Sequence, residues 1–340
     1  MLMVGGLLMA AAGVVFASTR HLWLLVLAGT IGVVSPSGHE VGPFLSIEQA
    51  ALTHVVTDRT RTSVFAWYTL AGSLATALGA LAGGSISTLL QRTTVAPVHS
   101  YRAVVILYAA LGLTLAVLFS RLSRAAEAAT RGGTHRLGLG PSRGVVVKLS
   151  ALFALDSFGG GFVIQSFAAY WFHLRYGVDA GTLGAIFFWA NIFAGISALL
   201  ASRLAARFGL IKTMVGTHLP SNVLLIMVPL MPTLPLAVLV LLIRFSISQM
   251  DVPTRQSYVM AVVSPDERSA AAGITGIART IGAAISPLFV GVMFARPGLI
   301  NLPFFIAGTL KIAYDLLLYR EFVAIRPPEE RETENVERRT

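Results

Sequence analysis

The chain has 340 residues, 55% of them hydrophobic and 12% charged, with a mean hydropathy of +0.74; so much apolar surface excludes an ordinary soluble domain and places it among polytopic membrane proteins. A net charge of +10 would suggest a nucleic-acid partner in a soluble protein, but a membrane protein gathers basic residues in its cytoplasmic loops for topological reasons, so no nucleic-acid role is read from it. There is no cysteine, and the seven histidines never fall at metal-ligand spacing, so no cofactor is expected.

In chain order, apolar stretches of spanning length run over 1–19, 22–53, 62–88, 101–120, 148–172, 182–205, 210–231, 234–262, 270–295 and 299–320. The expected fold is all-α, with about ten transmembrane helices divided four and six. A bundle at 1–120 is followed by a basic, glycine-containing linker at 121–147, a six-helix bundle at 148–320 and a charged tail at 321–340. If residue 1 lies inside, alternate loops place Arg59, Arg61, the basic residues of the linker, Arg203, Arg207, Lys212, Arg268 and the tail on the inner side. Only Arg20, Arg92, Arg102, Arg175 and Arg296 then fall outside. This satisfies the positive-inside rule and predicts cytoplasmic termini, with the plasma membrane as the expected location.

An internal repeat supports the two-bundle reading. An offset of 207 residues carries Gln49, Val55, Val56 and Arg61 onto Gln256, Val262, Val263 and Arg268, and Met3-Val4-Gly5 matches Met214-Val215-Gly216. The second copy runs through two helices before that match, whereas the first copy begins there. Two opening helices of the first repeat are therefore expected to be missing from a chain that starts at Met1.

Ionisable groups inside spans are costly and are candidates for function. On the helix at 234–262, Arg244, Ser248, Asp251, Arg255 and Tyr258 follow steps of four, three, four and three and share one face, with Gln249 and Gln256 at its margin. Pro253 should kink that helix. The offset places Glu48 opposite Arg255 and Gln49 opposite Gln256, so the two halves are expected to face one cavity. Glu40 follows His39 in a stretch broken by prolines and glycines.

Asp156 lies about 12 Å into its helix, followed by Gly159-Gly160-Gly161 and Gln165. It reads either as an unpaired, proton-accepting carboxylate or as a partner of Arg279 or Arg244. Lys311 and Asp315 are spaced for a local ion pair, as Arg244 and Asp251 are for mutual neutralisation. Gly72, Gly79, Gly83 and Gly84, and Gly282 with Ser286, read as close-packing surfaces. Asp58, Arg59 and Arg61 in one loop, and Asp266 and Arg268 in its counterpart, read as a cytoplasmic gate or as solvated turns.

The segment Ser202-Arg203-Leu204-Ala205-Ala206-Arg207-Phe208-Gly209 resembles the loop motif G-x-L-A-D-R-x-G of the major facilitator superfamily. Ser202 stands for the first Gly and Ala206 for the Asp. Gly79-x-x-x-Gly83-Gly84 is similar, without its Pro, to that family's antiporter motif. The resemblance implies two bundles that rock about a midplane site, with Arg207 and Gly209 joining the gate. It also implies a secondary active transporter, acting as a monomer in the lipid bilayer on a small organic solute and coupled to protons, with efflux by antiport as the preferred direction. No nucleophile and base stand together as an enzyme would need. The alternative reading is a transport-inactive, truncated relic or a regulatory membrane protein.

Overall fold

The protein is described by a computed structural model over residues 2–32, 60–93, 95–121, 139–325 and 327. These residues are helical, with no strand among them. The first part contains α1 (Leu2–Ser18), α2 (Leu22–Ile31), α3 (Arg61–Arg92) and α4 (Pro97–Ser120). The second contains α5 (Arg143–Gly161), α6 (Gln165–Tyr176), α7 (Ala180–Phe208), α8 (Leu210–Met227), α9 (Leu234–Ser248), α10 (Asp251–Val262), α11 (Arg268–Ile285), α12 (Pro287–Phe294) and α13 (Leu302–Phe322).

Eight segments among the described residues are long and apolar enough to cross a bilayer: 62–92, 97–120, 143–176, 180–208, 210–230, 234–262, 265–294 and 297–322. Together with the shorter apolar helices α1 and α2 they give the expected ten, four and six. The apolar side chains left exposed, such as Leu288 and Trp23, suit contact with lipid.

Three of the six later spans are pairs of helices end to end, where the sequence reading has one kink. Pro253 cannot donate to the carbonyl of Gln249 and crowds it, so α9 stops at Ser248 and α10 restarts with Pro253 in its first turn. Pro287 opens α12 in the same way after Ser286. The third break, at Phe162–Ile164, follows the three glycines. α5 also starts at Arg143, before the expected 148.

Those glycines set how closely α5 is approached. A β-carbon at Gly161 would collide with the Ser286 hydroxyl, and one at Gly282 with the Ala154 carbonyl. At Gly159 it would lie 3.2 Å from the Leu310 side chain. α5 is therefore wedged against α11 and α13, backbone close to backbone. Around it, Val146, Leu149, Phe153, Met214, Tyr258, Tyr314 and Leu318 form one buried apolar cluster.

The first half meets the second along α3 and α7. A β-carbon at Gly84 would lie 2.6 Å from the Ala180 carbonyl oxygen, and one at Gly184 would lie 2.8 Å from that of Ala80. Further along, Gly195 faces Leu70 and Ser73. Of the four first-half glycines expected to pack, only Gly84 does so tightly. Gly72 and Gly79 face open space, and Gly83 has only Val104 nearby. The motif appealed to spacing, but these positions point away from α7.

Gly209 separates α7 from α8 at φ +86° and ψ 161°, a conformation open to glycine and strained for other residues. It is the joint that lets two spans follow each other without a loop. At the far end of α7, Asp179 caps the helix by accepting from the Thr182 amide at 2.9 Å and its hydroxyl at 3.0 Å. These bonds hold its carboxyl below the ordinary aspartate range.

The loop before α11 supplies a buried carboxylate, Glu267, that accepts from the backbone amides of Gly140 and of Ser142, the latter at 3.1 Å. It ties the start of α5 to the α10–α11 turn. Glu267→Ala removes both acceptors and is expected to destabilise the solubilised protein by about 1–3 kcal/mol, with Glu267→Gln costing less. Tryptophan-monitored unfolding checks both.

Candidate functional site

The spans of the second half enclose a network of ionisable side chains centred on Asp156 of α5. One carboxylate oxygen, Oδ1, lies 2.6 Å from Lys311 Nζ of α13. The other, Oδ2, accepts from Arg255 Nη1 of α10 at 3.2 Å. Arg255 Nη1 also lies 3.1 Å from Asp251 Oδ2, one turn back on the same helix, and its guanidinium rests 5.6 Å from the Phe153 ring centroid. On α8, His218 Nδ1 lies 2.7 Å from Asp315 Oδ1 and His218 Nε2 lies 3.9 Å from Asp156 Oδ1. Asn222 Nδ2 donates to Asp315 Oδ2 at 2.9 Å.

Asp156, His218, Asn222, Asp251, Arg255 and Asp315 are all buried, and Lys311 is the most open of the group with 12% of its side chain exposed. Lys311 stands nine residues from the start of α13 and eleven from its end. That is about 14–17 Å from either end at helical rise, hence near the middle of the hydrocarbon layer. Ions at such depth persist only when paired, and the pairing here crosses four helices.

The individual assignments change accordingly. Asp156 is not an unpaired carboxylate, and its partners are Lys311 and Arg255 rather than Arg279 or Arg244. Lys311 and Asp315 do not pair locally, because α5 and α8 offer each of them a partner. Asp251 is neutralised by Arg255, not by Arg244. Arg244 has a buried Nε with no hydrogen-bond partner, and its guanidinium lies 5.2 Å from the Phe245 ring centroid. Arg279 Nε donates weakly to Ser157 Oγ at 3.4 Å.

The other residues of the polar face do not converge. Ser248 Oγ and Gln256 Oε1 are buried without a hydrogen-bond partner. Tyr258 belongs to the apolar core, and its hydroxyl donates to the Ile325 carbonyl at 3.0 Å. Gln165, at the start of α6, accepts from Asn191 Nδ2 of α7 at 3.1 Å. Every described ion-pair partner of Asp156 comes from the second half. Glu40, Glu48 and Gln49, expected to complete the site from the first half, lie outside the described residues.

Of the gate candidates, Asp58 and Arg59 also lie outside them, and for Arg61 only its place at the start of α3 is described. Arg207 is exposed beside Phe208, Asp266 is exposed, and Arg268 Nε donates to the Met260 carbonyl at 2.9 Å. The described polar bond between halves is a different one, from Thr62 Oγ1 of α3 to Ser257 Oγ of α10 at 2.7 Å. A cavity of about 310 Å³ opens between α3 and α7, lined by Ser63, Trp67, Ile196, Leu199, Leu200, Ser202 and Arg203. None of the network residues lines it.

Sequence reasoning passed over His218 and Asn222 because a lone histidine carries no motif. Their signal was weak but present: two polar residues one turn apart, flanking Pro220, inside an apolar span.

Comparison with known proteins adds to this geometry. The model of the Major Facilitator Superfamily matches residues 1–249 and 149–340. An uncharacterized membrane protein of Saccharomyces cerevisiae, YJR124C, is 28% identical over 358 residues, covering 95% of this chain and 80% of its own. The human organic anion transporter MFSD10 (TETRAN) superposes with a TM-score of 0.65 at 17% identity, over 93% of this chain and 76% of that one. The E. coli fucose:proton symporter FucP gives 0.58 at 15% identity, over 93% and 82%.

Proposed function

The chain belongs to the Major Facilitator Superfamily, and we propose that it is a proton-coupled secondary transporter of a small organic anion. It works as a monomer by alternating access in the plasma membrane, with both termini cytoplasmic. Membrane transport follows from the family. The charge balance at the network carries the finer reading. Arg244 and Arg279 lie in spans, and neither forms an ion pair among the described residues. Cations held in hydrocarbon without an ion-pair contact of their own suit an anionic cargo that neutralises them while bound. Within the same fold, organic anion transport and proton symport each have a precedent in the similar structures.

No nucleotide site is needed, because a pH gradient supplies the drive. The full chain in liposomes containing a pH dye should move protons when small organic acids are added, and not when neutral sugars or amines are added. Arg279→Gln should weaken the response to the same acid about 10–100-fold, the loss expected for one charge-assisted contact. Proton movement with sugars or amines alone would overturn the anionic cargo, and none with any solute would overturn the coupling.

A further inference from the structure

One member of the network, the imidazole of His218, has a ring nitrogen that can take up a proton, and it sits where that uptake would rearrange its neighbours. Asn222 Nδ2 lies 3.2 Å from His218 Nδ1 but donates at the shorter 2.9 Å to Asp315 Oδ2, and an ionised Asp315 only accepts, so its 2.7 Å contact assigns the proton to His218 Nδ1. In the neutral ring, Nε2 is then an acceptor. It faces another acceptor, Asp156 Oδ1, 3.9 Å away, and that oxygen accepts a hydrogen bond from the Lys311 ammonium at 2.6 Å.

A proton on Nε2 converts this stand-off into an N–H donor aimed at a carboxylate that already has a partner. His218 meets Asp315 and Tyr314 from α13, Asp156 from α5 and Asn222 from its own helix. Beyond this contact layer, Lys311 and Arg255 pair with Asp156, Arg255 also pairs with Asp251, and Arg244 from α9 and Arg279 from α11 interact electrostatically with both Asp156 and Asp251. Among those joined by ion pairs, three carboxylates meet two permanent cations, Arg255 and Lys311. One proton on His218 balances these pairs, and Arg244 and Arg279 then leave the surrounding cluster with an excess of positive charge.

We propose that His218 carries the coupling proton, and that its protonation draws Asp156 from Lys311 and frees the Lys311 ammonium at the middle of the bilayer. The proton arrives from the aqueous phase that has access to the site and departs to the opposite one, with no other bond made or broken. Asp315 and Asn222 are positioning residues that fix the ring, and Pro220, two residues along α8, removes the backbone bond that would otherwise stiffen the helix there. This assignment rests on the proton-coupled reading above and names the group that does the coupling.

The test uses the full chain, labelled with nitrogen-15 histidine and placed in lipid nanodiscs, with His218→Gln identifying the signal. The ring should be singly protonated near about pH 8 and doubly protonated near about pH 5. Lys311→Gln should enlarge the doubly protonated fraction between those limits, since the competitor for Asp156 Oδ1 is gone. A ring that keeps one state from about pH 5 to 8 overturns the proposal, as does a fraction untouched by Lys311→Gln.

In liposomes, His218→Gln should slow anion-dependent proton movement at least about tenfold, a 1.4 kcal/mol effect. If protons move at the parent rate in His218→Gln, the assignment fails and the coupling stands. If the ring behaves as expected but no solute moves protons in the parent protein, the coupling fails and the protonation site stands.

Discussion

Asp156→Asn is expected to be the most damaging single substitution in this chain, costing about 3–5 kcal/mol and abolishing transport. The change keeps the shape of the side chain but removes the charge that Lys311 and Arg255 share. Arg255 retains Asp251 at 3.1 Å, so the main loss falls on Lys311, left buried opposite an amide. Removing one partner of a buried pair leaves an uncompensated ion, whereas removing both leaves only a change in packing. The double variant Asp156→Asn with Lys311→Met should therefore recover most of the lost stability while transport stays absent. Unfolding of the solubilised chain, followed through the fully buried Trp171, separates these effects. A loss below about 1 kcal/mol in the single variant would mean that water screens the pair as it screens surface ion pairs.

Gly184→Val should produce the second-largest effect, through mechanics and not charge. Even a methyl group at this position would meet the Ala80 carbonyl at 2.8 Å and the Gly84 backbone at 3.2 Å. α3 and α7 must separate to admit the branched side chain, and overpacking of this kind costs about 1–3 kcal/mol. Because these helices belong to different halves, the distortion falls on the surface between them, and on the alternating-access mechanism proposed above transport should drop more than stability does. Gly72→Ala and Gly79→Ala provide the control. With nothing within 4 Å of either added carbon, both should unfold within about 0.5 kcal/mol of the parent. Equal damage from all three would remove the case for a close α3–α7 seam.

The fold was largely legible in the sequence because hydrocarbon imposes a length and an apolarity that few segments meet by accident. The number of spans and their division into four and six follow from that constraint, and the break beside Pro253 follows from its missing N–H, whereas the start of α5 at Arg143 and the breaks at Phe162–Ile164 and Ser286 do not. The ionisable residues were legible one at a time: Asp156, Asp251 and Arg255 stand out because charge in an apolar run is rare. Their partners were not. Periodicity says which residues share a face of one helix, but not which neighbouring helix that face meets. Lys311 and Asp315 illustrate the difference, since their spacing favours each other while packing gives Lys311 to α5 and Asp315 to α8. The same limit applies to Gly72 and Gly79, whose spacing suits a seam that lies on another side of α3.

That the described partners of Asp156 all come from residues beyond 143, while the seam with the first half is built from glycine backbones and the Thr62–Ser257 hydroxyl pair, implies a division of labour. Variants that alter what is carried should cluster in α5, α8, α10, α11 and α13. Variants that alter how fast the halves exchange positions should cluster on α3 and α7. Selectivity and speed are then separately tunable, and a descendant of this chain could acquire a new cargo without rebuilding its moving parts.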